Sequence, residues 1–193
     1  APRQVLMLLT ADSAENLLPT IASRCEILRL RPLSIEKLQE ELINRWKFST
    51  ADALLFAHLS GGRPGLALKL ASDPQELERR STWLDDFTHL FEMNIRERFA
   101  FAETISRSRE LLRSELQTWM SYSRDLLIVN SGSNASLTHI DREEDLEELS
   151  THFSRQVCLQ LIQSLQSSLE KLELNTNLRL LADTLMLDLP IPG

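Results

Sequence analysis

Three adjacent residues, Ser23-Arg24-Cys25, stand where side chains could do chemistry, between the apolar stretch LLPTIA and the alternating stretch EILRL. An arginine keeps its charge in a protein, and its planar fork of donors matches the oxygens of a phosphate. Placed at the end of a helix and the start of a strand, it can project from a domain edge and reach a nucleotide held by a neighbour. There it would stabilise charge on a transferring phosphoryl group. The same tripeptide also suits a surface arginine or a simple ion pair, and three residues alone do not separate the two readings. Cys25 makes a poor nucleophile: no histidine lies near it in sequence and nothing argues for a thiolate.

The rest of the chain excludes several classes. No G-x-x-x-x-G-K-[ST] phosphate loop occurs in the sequence, so these residues are not expected to hydrolyse ATP by themselves. The four histidines, at 58, 89, 139 and 152, are spaced unlike a zinc site, and no metal site is expected. The acidic run DREEDLEELS (141–150) does not follow a calcium-loop spacing and reads as a solvated helix face. Trp46, Trp83 and Trp119 lack clustered Lys or Arg around them, which favours core or interface anchors over base-stacking platforms. A net charge of −7 disfavours non-specific DNA binding through the chain's own surface. The two cysteines lie far apart and suggest reduced thiols in a cytoplasmic protein. No apolar run is long enough to span a membrane.

The elements that must position Arg24 follow from periodicity. Residues 4–9 read as a continuous apolar strand of the kind buried on both faces of a parallel sheet, and residues 26–30 as a second strand. The first strand needs sheet partners that would precede it, so the chain is expected to be the C-terminal portion of a longer protein. Beyond Pro32 the pattern is helical. Ser34 and Ser49 cap two helices, Gly61-Gly62 stops the second, and Pro64 opens a third. A boundary falls near Ser72, after which Asp73-Pro74 restarts a helix. Helices are then predicted at 74–92, 95–106, 108–129, 142–152, 154–173 and 176–188, with a bundle core drawn from Leu112, Leu116, Trp119, Met120, Ser123 and Leu127, from Val157, Leu161, Leu165 and Leu169, and from Leu178, Leu181, Leu185 and Leu189. The stretch NSGSNASLTH (130–139) reads as a mobile loop. The fold class is thus mainly α, with two strands from an α/β domain ahead of a small three-helix unit and an all-α bundle.

The string LLPTIASRCEILRLRPLS, the later LSGGRPGLALKLA and the C-terminal LNTNLRLLADTLMLDL resemble the clamp-loader branch of the AAA+ ATPases, as found in the bacterial DNA polymerase III holoenzyme. The resemblance implies three segments: residues 1–31 as the tail of the AAA+ nucleotide-binding domain, 32–72 as its helical lid, and 73–193 as the collar that joins subunits into a ring. It implies that Arg24 is a finger acting in trans on ATP and Mg held by an adjacent subunit. Ser23 and Cys25 would shape the turn that presents it. Thr10 matches the polar residue that ends the sensor strand, although the loop from Thr10 to Ser23 is one residue longer than in some relatives. A strand-end cap is its simpler role. Implied partners are gamma/tau and delta clamp-loader subunits, and, through the assembled complex, the sliding clamp and primed DNA.

One departure bears on activity. Nucleotide-hydrolysing relatives carry an arginine early in the third lid helix, and the matching position here is Gly65, with Arg63 two residues earlier. A glycine has no side chain to touch phosphate, which favours a subunit whose own site is degenerate over an ATP-hydrolysing gamma/tau type. A helical protein-interaction module with an accidental SRC tripeptide is the remaining reading.

Overall fold

The computed structural model describes residues 6–11, 17–174 and 176–190. The chain divides into two units, Ala1–Pro32 and Leu33–Gly193.

In the first unit, the described residues form one short helix, α1 (Pro19–Ala22). Pro19 opens it, where its missing N–H costs no hydrogen bond and its fixed φ suits the helix. Neither expected strand forms among the described residues: 6–11 and 26–30 carry no regular structure, and positions 4 and 5 lie outside them. A strand is held by ladder hydrogen bonds to a neighbouring strand, and no strand is assigned among the described residues. Their apolar side chains stay in solvent, Leu6 at 84% and Leu30 at 96% exposure.

The second unit is helical throughout. Three helices, α2 (Ile35–Trp46), α3 (Thr50–Leu59) and α4 (Pro64–Ser72), enclose a core of Leu38, Leu42, Ala53, Phe56, Ala57 and Ala67. Ser34 and Ser49 cap the first two as expected, accepting from the N–H of Lys37 (3.3 Å) and Asp52 (3.1 Å). The stop after α3 rests on Gly62, whose φ is +78°. Its carbonyl accepts from Leu33 N at 2.8 Å, and a Cβ built on it would lie 2.0 Å from the Leu33 carbonyl oxygen. Only glycine fits that crossing.

Six further helices follow: α5 (Pro74–Leu90), α6 (Ile95–Ile105), α7 (Arg109–Asn130), α8 (Glu143–His152), α9 (Arg155–Glu173) and α10 (Leu178–Asp188), with a 3-10 turn at Ile140–Arg142 before α8. Helix α7 is the axis. It packs on α5, α8 and α9, while α10 closes against α6 and α9. Trp119, Phe87, Leu112, Leu116, Leu126, Leu161, Leu165, Leu181 and Leu185 are buried in one continuous core. Phe87 stacks on Trp119 with ring centroids 4.9 Å apart. Asn94 and Glu97 form a reciprocal capping box at the start of α6. Among the described residues, no helix is long and apolar enough to cross a membrane.

Residues 130–139 form the expected loop, and hydrogen bonds anchor both of its ends. Asn130 Nδ2 donates to the carbonyls of Ser150 (3.1 Å) and Phe153 (2.6 Å), fixing the loop's start. Its end is held by the Asp125 carboxylate, which accepts from the N–H of Thr138 (2.7 Å) and His139 (2.8 Å). From α3, His58 Nδ1 donates to the Leu137 carbonyl at 2.6 Å. These anchors come from α3, α7 and the α8–α9 junction and could not be read from the loop's own small polar residues.

Candidate functional site

Arg24 follows directly on α1. Ser23 is the residue that closes the helix, its N–H donating to the carbonyl of Pro19 at 3.0 Å. Arg24 N then donates to Ile21 O at 3.1 Å, and Cys25 N to Ala22 O at 3.4 Å. The three residues are thus one tight turn whose backbone N–H groups are satisfied by α1 and whose side chains are left to solvent. The Arg24 guanidinium makes no hydrogen bond or ion pair among the described residues. Cys25 is a free, exposed thiol, and no histidine hydrogen-bonds it among those residues. Thr10 is exposed in a segment without regular structure. Residues 12–16, between it and Arg24, lie outside the described ones, so no site geometry joins the two.

At the lid position discussed above, Gly65 occupies the first turn of α4 with open space around its Cα: a Cβ there would meet nothing within 4 Å. Arg63 is turned the other way. Its Nε donates to the Ser60 carbonyl at 2.8 Å, tying down the end of α3. A basic side chain at the C-terminus of a helix also answers the helix dipole.

The charged groups that the structure buries were not singled out by sequence reasoning. Arg80 reaches from α5 to the end of the 130–139 loop, with Nη1 and Nη2 forking onto Asp141 at 2.7 and 2.9 Å. Its Nη2 also donates to His139 Nδ1 at 2.5 Å. Burial, and then the charge of Arg80, push the His139 pKa down to about 3, so its imidazole is neutral. Burial works to raise the pKa of Asp141, but the hydrogen bonds and charge of Arg80 outweigh it and hold the carboxyl below its ordinary value. Arg98 of α6 is 3% exposed and has no carboxylate partner among the described residues. It donates to the carbonyls of Leu90 (2.9 Å), Met186 (3.3 Å), Leu189 (2.9 Å) and Pro190 (3.0 Å), clasping the C-terminal ends of α5 and α10. Glu115 of α7 is 4% exposed. Burial, helped by the Asp86 charge, raises its pKa to about 8.

A signal for these residues does exist in the sequence. Arg80 falls in step with Leu77, Leu84 and Phe87, Arg98 with Ala102 and Ile105, and Glu115 with Leu112, Leu116 and Trp119. A charge on the apolar stripe of a helix must be buried or must bend the helix away. Of the four histidines, only His139 is buried. Among the described residues, no group of three or more His, Cys, Asp or Glu is placed to hold a metal ion. The acidic run from Glu143 onward forms α8, with Leu146 its buried residue and its carboxylates largely in solvent.

No protein-family model matches the chain, and no curated protein matches it.

Proposed function

We propose that this chain is the lid and collar portion of a clamp-loader subunit, with the tail of its AAA+ domain, of the delta prime type of the bacterial DNA polymerase III clamp loader. In this reading it does not hydrolyse ATP. It places Arg24 across a subunit interface into the ATP site of a gamma/tau neighbour and helps to hold the ring while the sliding clamp is loaded onto primed DNA. Strands at 4–9 and 26–30 would form by pairing with the rest of the AAA+ sheet.

The observation that carries the reading is the Ser23-Arg24-Cys25 turn. It holds a guanidinium in solvent at the end of a helix with no internal partner among the described residues. Arg63, Arg80 and Arg98, by contrast, are engaged within their own fold. Gly65 supports the second half of the reading, since its position offers no side chain to a nucleotide held by this subunit. The mechanism is electrostatic. A fixed cation beside the γ-phosphate stabilises the charge that spreads over its oxygens in the transition state and does little for the bound ground state.

That distinction gives the test. The full-length protein is assembled with its ATPase partners, and retention of a non-hydrolysable ATP analogue is compared with retention of ADP–aluminium fluoride. Arg24→Ala is expected to leave the first unchanged and to abolish the second at the site it completes. Equal retention of the fluoride complex by both proteins would remove Arg24 from catalysis.

A further inference from the structure

The two apolar cores of Leu33–Gly193 share no residue. One belongs to α2, α3 and α4, the other to α5 through α10, and Leu77 near the start of α5 packs against the first. The chain passes from one to the other through a single non-helical residue. Asp73 both ends α4 and caps α5, at φ −126° and ψ 92°. Pro74 behind it disfavours the helical region at Asp73, so α4 and α5 do not fuse into one stiff rod. Lys69 Nζ bridges this junction to Glu76 at 2.9 Å, but Lys69 is largely exposed, and surface pairs are weak ties.

Away from the junction, α3 meets the 3-10 turn that precedes α8. Residues 136–141 lie there as a polar strap, and its two sides are fastened unequally. On the bundle side the ties are charged. The Asp125 carboxylate accepts from the N–H groups of Thr138 and His139, and Arg80 forks onto Asp141 while donating to His139 Nδ1. On the side of the three-helix unit, the hydrogen bonding among the described residues comes from His58 alone. Its Nδ1 donates to the Leu137 carbonyl at 2.6 Å, with Ser136 Oγ 3.4 Å from the same nitrogen. Hydrogen bonds to ionised groups hold more tightly than this one.

We propose that residues 136–141 are a one-sided latch. Through His58 they close the three-helix unit onto the bundle. When that bond breaks, the strap stays with the bundle and the three-helix unit turns about Asp73. The unequal fastening decides which side lets go. The arrangement of the cores decides that release is not unfolding: His58 belongs to neither core, and each core stays whole on its own side of the hinge. Leu77 lies one turn beyond Asp73, close to the pivot, where a rotation displaces it least. Hinges of this kind are a few residues at element ends that absorb a change in φ and ψ. The inference stands on contacts within Leu33–Gly193 and is independent of the proposed function.

The test measures amide residual dipolar couplings of the whole chain in a dilute aligned medium. In the wild type, the couplings of α2–α4 and of α5–α10 should fit one alignment tensor. In His58→Ala the couplings of α2–α4 should shrink and require a tensor of their own, while those of α5–α10 keep their size. Hydrogen exchange at the Thr138 and His139 amides should stay as slow as in the wild type, because the strap remains on the bundle. His58→Asn, whose Nδ2 can stand near the place of Nδ1, should restore the single tensor. His58→Leu, which fills the space without a donor, should behave as His58→Ala does, and it decides the matter if the smaller side chain disturbs the three-helix core. A single full-sized tensor in both variants that lack the donor would overturn the latch. So would a wild type that already needs two tensors, failure of His58→Asn to restore one, or quickened exchange at Thr138 and His139 in His58→Ala.

Discussion

At the scale of single residues, the buried charges set how stability depends on pH. His139 stays neutral in the folded protein down to about pH 3, whereas in the unfolded chain it takes a proton near 6.5. Between those values the unfolded state binds more protons, so stability falls as pH drops from about 6.5 toward 3. Glu115 acts in the opposite sense. It holds its proton to about pH 8 in the fold but ionises near 4.5 when unfolded, so stability falls as pH rises from about 4.5 to 8. Each contributes on the order of a few kcal/mol at most. Urea midpoints measured across pH 4–9 should show Glu115→Gln losing the alkaline decline while keeping the acid one; an unchanged alkaline limb would remove Glu115 from this role. Asp125 supports a second prediction. Asp125→Ala strands two backbone N–H groups and is expected to cost about 2–4 kcal/mol, with hydrogen exchange at the Thr138 and His139 amides quickened far more than elsewhere. Protection that persists at those two amides would contradict the account of the loop. None of these roles is visible in residue type. An aspartate in α7 and a histidine after a polar loop become partners only once the loop has been folded back onto the helix.

At the scale of elements, the helices were legible because their ends carry their own chemistry. Ser34, Ser49 and Asp73-Pro74 mark starts, and leucines at three- and four-residue steps mark the faces. The predicted 95–106 and 154–173 differ from the observed Ile95–Ile105 and Arg155–Glu173 by a single residue at one end. The strands were not recovered, and the reason is equally physical. A helix satisfies its hydrogen bonds within itself, whereas a strand depends on a neighbouring strand, and none is assigned among the described residues. The linker between α3 and α4 makes the sharpest element-level prediction. Gly62→Ala would force a Cβ onto the Leu33 carbonyl and hold a side-chain-bearing residue at positive φ. A loss of at least about 3 kcal/mol is expected, most of it from parting Leu33 from the turn. Gly65→Ala, in open space within a helix, should be neutral or slightly stabilising and serves as the control in the same thermal melts. Similar melting temperatures for the two variants would refute this difference.

At the scale of the molecule, the chain pairs a well-packed helical unit with a segment that carries its most suggestive chemistry and whose described apolar side chains lie largely in solvent. Leu33–Gly193 has two apolar cores, a clasp at Arg98 and a polar network at Arg80. Ala1–Pro32 presents Leu6, Met7, Leu8, Leu28 and Leu30 to solvent and Arg24 beyond them without a partner among the described residues. Exposed apolar runs of that kind are usually covered by something else, as the proposed AAA+ domain and ring neighbours would do. The candidate site was therefore legible in the sequence as a tripeptide and a context, and in the proposed reading its chemistry would be completed by groups outside the chain. The most direct test compares DNA-stimulated ATP turnover by the reconstituted clamp loader containing full-length wild-type or Arg24→Ala protein, with assembly verified for both. The account predicts that turnover at the neighbouring site falls on the order of 10³-fold or more while the complex stays whole. Turnover unchanged in an intact complex would contradict it, and would reduce the Ser23-Arg24-Cys25 turn to architecture.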